Sequence, residues 1–243
     1  MRTNCALCLQ ETKLCRSHII PEFLYTKLYD DKHRIAILGK EFDRTQYEQK
    51  GLREKLLCES CESILSKYEK YVGRLLDGKV GIRKRQTPRL YTLEEVDYAK
   101  FRLFGLSLLW RASVAESDFF VKVELGPHQE VIRRMILSGD PGDPDRYGFF
   151  LGRIMSSELQ PDALMMQPTI SRFEKNKCYR FVFGGFVWVF VVSSHGLSEV
   201  ARACMITKEG STIVVEHELE KIKFMMRGIT AVGKRMASSS YRH

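Results

Sequence analysis

The chain has 243 residues, carries 39 Lys+Arg against 30 Asp+Glu for a formal net charge of +9, and is 44% hydrophobic and 11% aromatic. That apolar content excludes an intrinsically disordered chain, and 17 Gly and 7 Pro exclude a collagen-like or low-complexity one. The length suits a small module plus a domain of ordinary size, and the charge is compatible with an acidic partner, nucleic acid being the commonest, without requiring one.

Met1-Arg2-Thr3-Asn4-Cys5 lacks the apolar stretch of a signal peptide. The longest apolar run, residues 181–192, is interrupted by Gly184-Gly185 and is too short to span a bilayer. The expectation is a cytoplasmic protein with no membrane segment, whose cysteines are metal ligands, nucleophiles or core residues rather than disulfides. Five of its seven cysteines fall within residues 1–78.

Residues 79–92 read as a basic linker or extended arm. Lys79 to Arg89 holds five positive charges and no acid, so Arg83, Lys84, Arg85 and Arg89 are candidate nucleic-acid contacts, the bland alternative being a solvated linker. Residues 1–90 carry 19 Lys+Arg and 12 Asp+Glu, so most of the charge belongs to the first module and this arm. Thr92-Leu93-Glu94-Glu95 resembles a helix start, with Thr92 as N-cap of a buried helix reaching about Val114. A second helix is expected over 127–137, and Gly139 to Pro144 is a loop. Residues 149–155, 165–173, 178–183 and 186–192 read as strands, with a hairpin turn at Gly184-Gly185. A final helix is expected from near His217, through Ile222, Met226 and Ile229, with Lys234 and Arg235 on it. Residues 93–243 therefore form an α+β accessory domain with a small antiparallel sheet, suited to target selection, homodimerisation or docking to a protein partner.

The most informative pattern is Cys5-x-x-Cys8 with Cys58-x-x-Cys61. A two-residue gap lets both thiolates of a pair grip one ion, and two pairs complete a tetrahedral Zn2+ site. A helix is expected directly after the second pair, which is the arrangement of a treble-clef module over residues 1–78. Four unrelated core thiols are the alternative. A thioredoxin-like redox role lacks the surrounding βαβ pattern.

Between the pairs stands Cys15-Arg16-Ser17-His18-Ile19-Ile20-Pro21. CxxC, then a polar residue before His-Ile-Ile-Pro, then Leu56-Leu57-Cys58-x-x-Cys61, resembles the HNH (His-Me finger) endonuclease family with structural zinc, over roughly residues 4–71. The resemblance implies a metal-dependent endonuclease acting on DNA rather than RNA, with His18 as the general base toward water and one Mg2+ or Mn2+ at the scissile phosphate. Small proteins of this kind often accompany an ATPase in anti-phage defence. Ser17 stands at the family's first metal-binding Asp, Glu62 at its second metal-binding His, and Leu65 at its Lys. The Asn position has no clear match, with Arg53 and Glu54 near it. Glu62 is a fit ligand for magnesium and Ser17 a poor one. Glu22, Asp30, Asp31, Glu54 and Glu69 are further acidic candidates.

Alternatives stay open at these residues. His18 can be a zinc ligand or a structural histidine, Glu62 a carboxylate at a helix N-terminus, and Cys15 a ligand or a small core residue. The rival reading of the whole chain is a catalytically inactive zinc module that binds nucleic acid or a protein partner.

Overall fold

The computed structural model describes residues 3–29, 32, 34–37, 46–49, 51–192 and 197–227. Asp30, Asp31, Ile229, Lys234 and Arg235 lie outside the described residues.

Four short strands precede the first helix: β1 (Arg16–His18), β2 (Arg34–Ile37), β3 (Gln46–Gln49) and β4 (Arg53–Lys55). β1 pairs antiparallel with β4, and β2 with β3, as two small sheets. Helix α1 (Glu59–Leu76) follows, burying Cys61, Leu65, Val72 and Leu75, which recur at helical spacing along one face.

Strands β5 (Ile82–Thr87) and β6 (Leu90–Glu94) come next, then helix α2 (Tyr98–Val114), helix α3 (His128–Ser138) and strand β7 (Phe149–Met155). Strands β8 (Met166–Phe173), β9 (Asn176–Phe183) and β10 (Phe186–Val192) lead to helix α4 (Glu199–Ala203) and strand β11 (Thr212–Glu218). Together these strands make a seven-stranded sheet in the order β5-β6-β11-β7-β10-β9-β8. All neighbours pair antiparallel except β11 with β7, which run parallel.

Three expectations are corrected here. The sheet is large and mixed, not small and antiparallel. The basic arm is the β5–β6 hairpin at the sheet's edge, and Thr92 sits inside β6. Tyr91 and Leu93 are buried while their neighbours are not, a period of two that outweighs the capping pattern. Glu95, at φ 56, breaks the strand, and Asp97 caps α2 by accepting the Lys100 N–H at 2.9 Å. His217 lies in β11, not at a helix start. The β-branched run from Thr212 to Val215 favours a strand; a single 3-10 turn follows at Leu219–Lys221, and α-helical backbone begins at residue 223.

α2 is buried on nearly every face between α1, α3 and the sheet. Phe101 meets Phe149, and Phe104 meets Trp188, at ring-centroid distances of 5.2 and 5.7 Å. Its two arginines are buried with their partners. Arg102 donates to the carbonyls of Pro141, Asp143, Arg146 and Tyr147, which pins the loop after α3. One continuous apolar core runs from Cys5, Cys58 and Cys61 through α1 and α2 to Val214, so residues 1–78 and 93–243 share their interior. No helix among the described residues is long and apolar enough to cross a membrane.

Candidate metal centre and the His18 strand

The first cysteine pair lies in a turn. Leu9 N–H bonds the Cys5 carbonyl at 2.8 Å and Cys5 N–H the Gln10 carbonyl at 2.9 Å, with Leu9 in the left-handed region at φ 65. Ala6 N–H bonds the Leu56 carbonyl at 2.9 Å, which holds this turn against the strand leading to Cys58. Cys58 is the extended residue that precedes α1, and Cys61 falls in the first turn of that helix.

These constraints bring the sulfur atoms of Cys5, Cys8, Cys58 and Cys61 within 4.8 Å of one another. Cys8 Sγ and Cys58 Sγ are 3.8 Å apart. Among the described residues this is the one group of three or more His, Cys, Asp or Glu donors close enough to hold a metal ion. Burial opposes ionisation of Cys58, but hydrogen bonds from the Ser60 hydroxyl and the Cys61 backbone bring its thiol down to about 6. Burial and the neighbouring Cys58 and Cys5 thiols push Cys61 up, and burial also raises Cys8. Four sulfurs in so small a volume cannot all ionise without a cation among them, which is the electrostatic condition of a metal site.

Cys15 stands apart from the four. Its backbone pairs with Leu57 and Leu56, and its thiol is raised by burial and then by the charges of Glu62 and Glu59. Arg133 of α3 reaches across to the Leu7 carbonyl, tying the first cysteine turn to the second half of the chain.

His18 ends β1, directly opposite Arg53 of β4. Residues paired in this way project from the same face of a two-stranded ribbon, and the next residue along projects from the other. Ser17 is therefore turned away from the His18 face. It is 2% exposed, and its Oγ accepts the Leu57 N–H at 3.1 Å. His18 is half-buried, and its ring lies edge-on to Tyr25 at 6.4 Å. The backbone carbonyl of His18 accepts from Arg111 at 2.8 Å, and Arg111 also pairs with Glu69 at 2.8 Å. A helix face thus fixes the strand that carries the histidine.

The acidic candidates are differently engaged. Glu54 accepts the N–H groups of Glu116 and Ser117 at 2.8 and 2.9 Å. Glu22 accepts the Tyr29 hydroxyl at 2.7 Å, and burial followed by that bond pushes Tyr29 up to about 12. Glu69 is held by Arg111. Glu62, in the first turn of α1, keeps a buried Oε1 with no hydrogen-bond partner. Tyr25 Oη and Arg53 Nε are likewise buried without one. Tyr25 and Tyr29 were not singled out by sequence reasoning, because a tyrosine in a turn carries no motif.

The four basic residues of the β5–β6 hairpin are largely engaged. Lys84 pairs with Glu94, Arg89 with Glu218, and Arg85 with both Glu216 oxygens at 2.7 and 3.0 Å. Arg83 lies over the Tyr91 ring at 4.6 Å. No family model, curated protein or solved structure matches this chain.

Proposed function

We propose that the chain is a zinc-stabilised, HNH-like metal-dependent endonuclease that hydrolyses DNA phosphodiester bonds. The zinc assignment rests on donor chemistry. A tetrahedral ion with Zn–S bonds of about 2.3 Å needs sulfurs about 3.8 Å apart, and the Cys8–Cys58 separation of 3.8 Å meets that spacing. Four sulfur donors with no oxygen suit a closed structural site rather than a catalytic one.

The observation that carries the nuclease reading is the pairing of His18 with Arg53 on one face of a two-strand ribbon that runs into the Cys58 cap of α1. In this reading His18 takes the proton of the attacking water, and the Arg53 guanidinium binds a phosphate oxygen. Glu62, whose Oε1 is buried without a hydrogen-bond partner, would be a ligand for Mg2+ or Mn2+. Such an ion would neutralise charge on the phosphate. Ser17 is assigned to the fold and not to the ion.

One observation favours the inactive reading. Ser17 Oγ is consumed by the backbone, so the family's first metal position offers no ligand. Incubation of supercoiled plasmid with the full chain and Mg2+ or Mn2+ decides between them. Nicking is expected, and His18→Ala should lower its rate by about 100-fold or more at unchanged fold and zinc content. Wild-type protein that binds the plasmid but leaves it intact with either metal establishes the inactive reading. Cleavage that survives His18→Ala overturns the assigned base.

A further inference from the structure

Among the described residues, the outer face of the seven-stranded sheet, opposite α2, is covered at its two sides. One small apolar cluster forms beneath Leu219 and Met225, and another beneath α4 around Cys178 and Val191. Between them lies a groove of about 790 Å³. Phe150, Val187, Val189 and Val215 are among its apolar lining residues. Its volume is that of a small-molecule site.

The polar lining is of one sign. Arg180, Lys221, Lys223 and Arg227 contribute to the groove, with His217, and no Asp or Glu among the described residues lines it. Lys221 is paired with Glu218 at 2.6 Å. Arg180 differs in being half-buried on β9. Its Nε donates to Thr169 Oγ1 at 3.1 Å and its guanidinium stacks 4.1 Å from the Phe224 ring centroid. Among the described residues no carboxylate pairs with it. Burial pulls its pKa down, as expected for a cation held in apolar surroundings without a counter-ion. A guanidinium so placed is poorly compensated until an anion supplies the fork-shaped partner it fits.

We propose that this groove binds a small amphipathic anion, a medium-chain carboxylate, with its chain along the valine and phenylalanine floor and its carboxylate on Arg180. The charge of the groove selects this occupant. Residues 228–243 contain Lys234, Arg235 and Arg242 and neither Asp nor Glu, so their side chains add no negative charge.

The test uses the full zinc-loaded chain with decanoate and, as its uncharged counterpart, decanol, each followed by isothermal titration calorimetry. Decanoate should bind saturably at one per chain, and decanol at least about tenfold more weakly. Arg180→Gln should weaken decanoate by about 10- to 100-fold, the loss of a charge-assisted hydrogen bond, and leave decanol unchanged. Cys204 also lines the groove, which gives a readout on wild-type protein alone. Saturating decanoate should slow its alkylation by iodoacetamide, mapped by mass spectrometry, and leave Cys15 unaffected. Equal binding of decanol, unchanged affinity in Arg180→Gln, or no protection of Cys204 overturns the proposal. Protection of Cys204 that rises with protein concentration without decanoate also overturns it, in favour of a second copy of the chain.

Discussion

Ser17 and His18 are neighbours in the chain and face opposite ways, so one strand supplies a buried acceptor to the fold and a half-exposed imidazole to the site. The Ser17 hydroxyl is the partner of a buried backbone N–H at Leu57, beside the cysteine that caps α1. Ser17→Ala should therefore lower stability by about 1–3 kcal/mol, the penalty of an unpaired buried donor, measured by urea denaturation. Under the nuclease proposal the folded variant should keep its cleavage rate. A loss of cleavage without loss of stability would return Ser17 to the metal. At this scale the sequence was readable for the four cysteines, because CxxC spacing is itself a geometric instruction. It was not readable for the acids. Whether Glu54, Glu69 or Glu62 has a free oxygen depends on Ser117, Arg111 and a helix terminus that lie far away or act through backbone atoms.

Elements with a strong period were legible, and those whose period was masked by a local signal were not. β7 and β10 have the bounds expected from their apolar runs, and Gly184-Gly185 makes the turn between β9 and β10 at φ 62 and 75. β6 and β11 were mistaken because a capping pattern and an apolar spacing near four competed with β alternation, and pairing across the sheet decided the outcome. α2 was expected to be central, yet its glycine has a role that only packing shows. A Cβ on Gly105 would lie 2.1 Å from the Phe149 ring, in the layer where the helix rests on β7. Alanine is the better helix former by about 1 kcal/mol, so propensity alone predicts that Gly105→Ala stabilises. The ring cannot withdraw, since it also packs on Phe101, Trp188 and Phe190. Overpacking costs typically about 1–3 kcal/mol. The substitution should therefore be net destabilising, and a raised melting temperature would show that the sheet and helix part more easily than this packing implies.

For the whole molecule the question is whether the cysteine site stabilises a local module or the entire chain. The sequence suggested two units joined by a linker, because composition changes at residue 79. The structure gives that segment to the sheet and joins both halves through a single core, with Arg133 bonded to the first cysteine turn and Arg111 spanning α2, α1 and β1. A metal ion bound by groups from Cys5 to Cys61 would close the N-terminal loop and hold the start of α1 against it. Its binding energy is folding energy for whatever unfolds with that helix. Since α1 packs on α2 and α2 on the sheet, removal of the ion should destabilise all three together. Calorimetry of the zinc-loaded chain should show one transition, with one zinc per chain by elemental analysis. Cys58→Ser or a strong chelator should abolish the metal and move the whole transition down by about 10 °C or more, the shift that a loss of several kcal/mol produces in a chain of this size. An upper transition left in place while a smaller one disappears would mean two independent domains. An unmoved transition would mean that the four sulfurs hold no structural ion.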